Sequence, residues 1–156
     1  MLFLLCQTSA GRFLIPGQRI LEVLPMVAVS PLAGMAQGMV GVMRCRGASV
    51  PVLDLTELTT GAPAPCRMTT RVVLLNRNPE SATEQLFGVI AERATRTIAL
   101  QPDQFSEAMS DSGTFPFLGP LAWDAGVAVR RVEVDRLADL LAHWVGSNEV
   151  CQRVAA

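Results

Sequence analysis

Glycine, proline and charged residues divide the apolar part of this chain into short runs. Half of the 156 residues are hydrophobic, yet 12 glycines, 10 prolines and the charged residues interrupt every run well short of the roughly 18 residues that a membrane span needs. Short runs rich in valine, isoleucine and leucine, separated by turn residues, are typical of strands. The pattern predicts a mostly-β barrel or sandwich that does not insert directly into a membrane.

Four runs in the first half of the chain predict two hairpins. They are residues 2–6 with 12–15, and residues 39–45 with 49–55. The second hairpin turns at Arg46-Gly47, where glycine permits the backbone angles that a tight turn needs. Between the hairpins, residues 20–29 alternate loosely and are interrupted by Pro25, which predicts a bent strand or one at a sheet edge.

Residues 60–67 (TGAPAPCR) are the clearest linker, because two prolines and a glycine cannot lie inside a central strand. The strand pattern restarts after it. We therefore expect one domain over residues 1–150, with a subdomain boundary near this linker and a tail over residues 151–156. The strands expected beyond the linker are residues 70–76, 86–91, 95–100, 117–123 and 127–134, with 86–91 paired to 95–100.

Two further features concern the second half. Asp135 precedes leucines and Trp144 at helical spacing, and since aspartate is a preferred N-cap, a C-terminal helix is predicted over residues 136–145. Residues 13–23 and 87–98 each contain an apolar strand, a polar turn and a mixed strand. Internal duplication and coincidence both account for so short a similarity.

The charged residues restrict the classes of function. Net charge is −1 and the basic residues are scattered, unlike the clustered footprint of a nucleic-acid-binding protein. All 13 basic residues are arginine and there is no tyrosine, which excludes a catalytic lysine and a tyrosine acid or base. We expect protein partners and no nucleic acid.

No motif predicts catalysis, a cofactor or a metal site. The four cysteines are far apart, without a C-x-x-C pair, and are expected to be structural thiols: Cys6, Cys45, Cys66 and Cys151. His143 is the only histidine and no nucleophile elbow accompanies it. Asp54 and Glu57 are close in sequence, but Asp54 is expected to end its strand as a cap or turn residue.

Arg44 and Arg46 are two residues apart near the end of a predicted strand, so both side chains are expected on the same face. Two interpretations stay open for them. They are either a solvated hairpin tip or an anchor for a partner, since arginine is enriched at interface hot spots.

The segment around these arginines resembles a family signature. GVMRCRG at residues 41–47 and VPVLDL at residues 50–55 are similar to G-V-x-N-L-R-G-x-x-x-P-V-x-D-L of CheW-like domains, the adaptors that couple chemoreceptors to a CheA-type histidine kinase. The similarity extends over residues 2–142, with matching segments at 3–5, 13–16, 19–23, 70–75 and 87–92. It implies two SH3-like five-stranded β-barrel subdomains with a C-terminal helix.

The resemblance also implies a function and a set of contacts. The protein would be a non-catalytic, cytoplasmic adaptor without a cofactor, recruited to membrane receptor clusters. A groove between the barrels would hold the tip of the chemoreceptor's cytoplasmic helical hairpin, through a surface that maps onto Ile20, Glu22, Gly41 and Arg46. Arg44 replaces the asparagine of the motif and adds a second charge to this surface. Glu22 would orient Arg46, and apolar positions on one barrel would contact the regulatory domain of the kinase.

Some features depart from the common pattern. Cys45 replaces the leucine of the motif, and with Arg44 it indicates a divergent receptor as the partner. The short N-terminus and FLGP at residues 117–120 resemble adaptors of the surface-sensing Wsp pathway, whose output is a diguanylate cyclase. Two alternatives stay open outside the family: a small-molecule-binding β-barrel that uses the cleft between its halves, and a small enzyme that uses Cys45 or His143.

Overall fold

The structure, a computed structural model, describes residues 1–26, 29–82, 85–107 and 115–147, and for 145–147 it describes the backbone alone. Within these ranges the chain forms eleven strands and two α-helices. In chain order they are β1 (Leu2–Thr8), β2 (Gly11–Pro16), β3 (Ile20–Pro25), β4 (Val29–Pro31), β5 (Met39–Cys45), β6 (Ala48–Asp54), α1 (Leu55–Thr60), β7 (Arg71–Asn76), β8 (Leu86–Ala91), β9 (Arg96–Ala99), β10 (Leu118–Asp124), β11 (Val127–Val132) and α2 (Val134–Ser147).

The described strands form two sheets. The five-stranded sheet has the order β10-β11-β2-β1-β9, and the six-stranded sheet has the order β3-β7-β8-β6-β5-β4. The mostly-β fold with a C-terminal helix is confirmed, as are the two hairpins of the first half, β1–β2 and β5–β6. β3 lies at a sheet edge and ends at Pro25, as expected. The expected tail, residues 151–156, lies outside the described residues.

The two sheets have the same plan. β10, β11, β2, β1 and β9 of one sheet correspond in order to β5, β6, β8, β7 and β3 of the other. Each sheet contains one parallel pair of strands, which is β11 with β2 in the five-stranded sheet and β6 with β8 in the six-stranded sheet. The other corresponding pairs of strands are antiparallel. The five-stranded sheet therefore takes two strands from the first half of the chain and three from the second, whereas the six-stranded sheet takes four from the first half and two from the second.

This exchange of strands explains one wrong prediction. β8 and β9 do not pair with each other, because β8 lies between β7 and β6 while β9 crosses to pair with β1. β9 corresponds to β3, which also leaves its preceding hairpin for the opposite sheet. The similarity between residues 13–23 and 87–98 falls on these corresponding elements, and this correspondence favours duplication.

The linker at residues 60–67 separates the halves of the chain and not the sheets, since β6 before it and β7 after it belong to the same sheet. The chain enters the six-stranded sheet after β2 and leaves it after β8. A subdomain boundary near the linker stays a prediction about the two halves. The sheets themselves are interleaved along the sequence.

Buried apolar side chains form three clusters. One cluster belongs to the five-stranded sheet and includes Phe3, Leu5, Leu14, Ala122 and Val129. A second belongs to the six-stranded sheet and includes Met43, Val50, Val52, Val72, Leu74 and Ile90. The central core contains residues of both sheets and of α2, among them Leu4, Ile15, Leu53, Val73, Leu75, Val132, Leu137 and Leu141. β1 and β7 alternate between a sheet's own cluster and the central core, so their sequences are apolar almost throughout.

The six-stranded sheet must curl. Its edge strands β3 and β4 are joined by the chain from Pro25 to Val29, four Cα–Cα steps that span at most about 15 Å. The edges of a flat sheet of six strands would lie about 24 Å apart. Curling brings the edges together, and the cluster of the six-stranded sheet fills the enclosed space.

Helix α1 was not predicted. Asp54 ends β6 as expected, and its side chain accepts hydrogen bonds from the backbone N–H groups of Thr56 at 2.9 Å and Glu57 at 3.2 Å. It also accepts one from Ala64 at 2.8 Å, which ties the linker to the start of the helix. Burial raises the pKa of Asp54, although the three N–H groups act in the opposite direction.

Helix α2 begins earlier than predicted. Its first residue is Val134, so Asp135 lies in the first turn instead of capping the helix. The reason is that Val134 is itself buried in the central core, which favours an earlier start. Asp135 forms an ion pair with Arg19 instead, at 2.8 Å. One turn later the carboxylate of Asp139 pairs with Arg77 at 2.6 Å.

Candidate protein-binding surfaces

The hairpin between β5 and β6 turns through two residues with left-handed backbone angles. Arg46 has φ of 52° and Gly47 has φ of 79°, and Cys45 and Ala48 pair on either side. Positive φ at both central residues is the requirement of a type I′ turn, the two-residue turn that matches strand twist. The tight turn at Arg46-Gly47 is confirmed, and the left-handed region includes the arginine as well as the glycine.

Both arginines of this hairpin are exposed. Arg44 is still part of β5, whereas Arg46 lies in the turn beyond its end. The alternation of a strand therefore does not extend to Arg46, and the expectation that both side chains share a face stays a prediction. The two charges nevertheless project from one hairpin end, which we call the arginine tip (residues 44–47).

The corresponding hairpin of the other sheet has the same turn and a different chemistry. The φ angle of Ala125 is 49°, within 3° of the angle of Arg46, and the φ angle of Gly126 is 79°, equal to that of Gly47. The side chain of Trp123 is 62% exposed and that of Val127 is 41% exposed. Trp123 occupies the strand position that Arg44 has on the first hairpin. We call residues 123–127 the tryptophan tip.

The sequence alone did not single out the tryptophan tip. Trp123 ends an apolar run, and nothing in the run distinguishes a buried tryptophan from an exposed one. Asp124 and Gly126 follow it, and these turn-forming residues do signal the end of a strand. Only the comparison of the two sheets shows that Trp123 stands where the first hairpin has an arginine.

Ile20 and Glu22, the other expected receptor contacts, lie on β3. Ile20 is partly buried against the central core, and Glu22 is exposed. Glu22 pairs with Leu74, and continuing across β8 and β6 the same row of the sheet ends at Gly41 on β5. Because the sheet curls, the two ends of this row approach each other.

Gly41 is buried, so it has little surface to offer a partner. A Cβ atom at this position would overlap the carbonyl oxygen of Ser30 and lie 2.8 Å from the Cα of Pro31. Only glycine allows the backbone of β4 to approach its neighbouring strand β5 so closely. The structure therefore gives Gly41 a packing role at the edge of the sheet that supports the arginine tip.

The geometry is unfavourable for a catalytic pair of Cys45 and His143. A Cβ built at Gly38 would lie 3.6 Å from the ring of Trp144, the neighbour of His143. From Gly38 to Cys45 the chain follows the length of β5, about 23 Å at the rise of a strand. Cys6 is no better placed, because it is fully buried and burial raises the pKa of its thiol to about 12.

Two features are absent from the residues that the structure describes. Within residues 1–26, 29–82, 85–107 and 115–147, no group of three or more histidine, cysteine or acidic side chains could hold a metal ion. Over the same ranges, no helix has both the length and the apolar character that crossing a bilayer requires.

Comparison with known proteins agrees with this architecture. The crystal structure of the scaffolding protein TtCheW from Thermoanaerobacter tengcongensis superposes with a TM-score of 0.71, at 14% sequence identity, over 84% of this chain and 82% of that chain. A search of curated protein sequences finds no significant match. The sequence model of the CheW-like domain matches residues 2–141. The chain therefore belongs to the family of CheW-like domains.

Proposed function

We propose that this protein is a non-catalytic adaptor that couples a methyl-accepting chemoreceptor to a CheA-type histidine kinase. One observation carries the proposal: two hairpin tips have the same backbone geometry and different chemistry. An adaptor needs two separate surfaces for two partners, and these tips belong to different sheets. Membership of the CheW-like family supports a scaffold role in chemotaxis-type signal transduction.

The arginine tip is the proposed surface for the cytoplasmic hairpin of the receptor. A guanidinium group binds carboxylates or backbone carbonyls through a fork of donors, which suits Arg44 and Arg46 to the side chains and helix ends of a helical hairpin. Glu22 and Ile20 extend this surface along β3, and Gly41 acts beneath it by holding β4 against β5. A receptor partner would place the adaptor in the cytoplasm at membrane receptor clusters.

The tryptophan tip is the proposed surface for the regulatory domain of the kinase. Aromatic residues are enriched at protein interfaces relative to the rest of the surface, and tryptophan supplies much of the binding energy there. Trp123 and Val127 are both exposed at this tip, and Trp123 has the larger apolar side chain. Two modest contacts of this kind gain strength when many copies are held in one array.

Co-elution from a sizing column tests the proposal. The protein is mixed with a receptor cytoplasmic fragment, with a CheA-type kinase, and with both, all from the same organism. We expect a ternary complex. If neither partner co-elutes, the adaptor proposal is wrong. Comparing receptors of flagellar and Wsp-type pathways in this assay also tests the predicted similarity to Wsp adaptors.

Two substitutions give matched controls for each other. Arg46→Glu should weaken receptor binding by about tenfold or more, because it reverses a charge at the contact, and should leave kinase binding unchanged. Trp123→Thr should do the opposite, since threonine suits a strand but removes the aromatic surface. Both positions are exposed, so the melting temperature should change little. Loss of both partners in either variant would contradict the assignment of two separate surfaces.

A further inference from the structure

A polar cleft lies between the end of β1 and the segments that follow β6 and β8, away from both hairpin tips. Its volume is about 410 Å³, within the range of small-molecule sites. The turn between β1 and β2 forms one side, and α1, the linker and the connection from β8 to β9 form the other. The residues that carry its chemistry are Gln7, Ser9, Thr56, Arg67, Glu92 and Arg93.

Glu92 gives the cleft a buried acceptor. Its residue surface is only 9% exposed, and one carboxyl oxygen, Oε2, accepts a hydrogen bond of 2.6 Å from the hydroxyl of Thr56. The other carboxyl oxygen, Oε1, accepts no hydrogen bond from the described residues. Every side-chain oxygen or nitrogen that is fully buried in those residues has a partner, so Oε1 is not sealed in the interior. It is available to a donor that enters the cleft.

Two arginines lie at the mouth of the same cleft. Arg67 and Arg93 are both exposed, and the ion pairs found within the described ranges involve other residues. The cleft has one carboxyl group and two guanidinium groups, so its formal charge is positive. This charge favours an anionic group of a ligand at the rim. Guanidinium groups bind carboxylates strongly and with defined geometry.

The backbone of Arg93 supports a role for this side chain at the cleft. Its φ is 51°, a conformation that costs an L-residue roughly 1–2 kcal/mol and that glycine adopts freely. Arginine therefore stands at a position where glycine would adopt the backbone angle without this cost. Strained residues concentrate at functional sites, which fits a guanidinium that serves a ligand.

The arrangement selects for a ligand with two opposite ends. A donor such as an ammonium group matches the buried carboxyl of Glu92, and a carboxylate matches Arg67 and Arg93. We propose that the cleft binds a small zwitterion of the α-amino acid class, with its amino group towards Glu92 and its carboxylate towards the two arginines. Because the end of β1 lines one side of the cleft and segments that follow β6 and β8 line the other, the bound ligand would brace these segments against each other. This site is independent of the proposed adaptor function.

Calorimetric titration of the full chain tests the proposal. The probes are the common L-amino acids, beginning with alanine, serine and aspartate, against acetate and ethylamine as single-ended analogues. We expect saturable binding of at least one amino acid and a matching rise in melting temperature, with both analogues about tenfold weaker or more, since each lacks one charged contact. If acetate binds as well as the amino acids, the cleft is a general carboxylate site and the proposal is wrong.

Two variants assign the binding to the cleft. Glu92→Gln keeps an acceptor for Thr56 and removes the negative charge, and it should weaken binding about tenfold or more. Arg93→Gly removes a guanidinium while relieving the backbone, so it should bind weakly without losing stability. Ala125→Gly makes the same backbone change far from the cleft and should bind normally. Unchanged binding in both cleft variants, or no binding by any amino acid, would overturn the proposal, whatever the outcome of the co-elution experiment.

Discussion

The arginine tip and the tryptophan tip show how one backbone plan carries two chemistries. Arg46-Gly47 and Ala125-Gly126 have nearly the same φ angles, and the strands that they connect occupy equivalent places in the two sheets. Exposed arginines mark one tip and an exposed tryptophan the other. Turn geometry depends on a few backbone angles, whereas recognition depends on the side chains around the turn, so the two can vary independently.

The largest expected effect tests whether the two sheets are one cooperative unit. Leu75 is fully buried in the central core, which contains residues of both sheets. Leu75→Ala should lower the free energy of unfolding by about 2–5 kcal/mol, through lost transfer energy and the cavity left behind. Hydrogen exchange should show the loss of protection in β1 as well as in β7. Protection lost only in the six-stranded sheet would mean that the sheets open separately.

A second test compares the helices that follow β6 and β11. Asp54 binds three backbone N–H groups at the start of α1, so Asp54→Ala should cost about 2 kcal/mol in chemical denaturation, as expected for a lost cap with an unsatisfied donor. Asp139→Ala on α2 is the control. It removes an ion pair in which the carboxylate side chain is 67% exposed, and it should cost less than about 1 kcal/mol. Equal losses would contradict the contrast between a buried cap and a surface ion pair.

The pH dependence of stability gives a third test at the same cap. Burial raises the pKa of Asp54 in the folded protein above its ordinary value of 3.8. The folded state then binds the proton more tightly than the unfolded state, so this group stabilises the fold at low pH and loses that contribution as pH rises through the folded pKa. The stability of the wild type relative to Asp54→Asn should therefore be greater at pH 4 than at pH 7. A difference that grows with pH would show that the hydrogen bonds to the carboxylate outweigh the effect of burial.

The smallest expected effect concerns the two turns themselves. Arg46→Gly and Ala125→Gly each relieve a positive φ, and each should raise the free energy of unfolding by up to about 1 kcal/mol, since glycine adopts this angle without the steric cost. Thermal denaturation measures both. Similar gains would confirm that the turns are mechanically equivalent. A gain at only one of them would show that its side chain makes a stabilising contact.

Much of the local structure could be predicted from the sequence because turn residues and apolar runs act over a few residues. The sequence predicted the turn at Arg46-Gly47, the end of β6 at Asp54 and the strands on both sides of the linker except β4, which was not expected as a separate strand. The short helix α1 was missed, although aspartate at 54 and glutamate at 57 form a common N-terminal helix signal. The predicted strand, residues 49–55, includes Leu55, the first residue of this helix.

The site was predicted less completely than the fold. The resemblance indicated Glu22, Gly41 and Arg46 together, but it could not show that Gly41 is buried under β4. The exposure of Trp123 and the cleft at Glu92 had no signal in the sequence. Exposure and clefts depend on which segments meet in space, and these segments are far apart along the chain.

The sequence by itself determined the short strands and their turns. Its central motif also indicated the family to which the chain belongs. Backbone angles, β-branched runs and proline positions decide these features locally. Only the tertiary structure decided that β3 and β9 cross between sheets, that the two hairpin tips are equivalent, and that Glu92 and two arginines share a cleft. These features follow from burying one central core between two sheets, which no local pattern encodes.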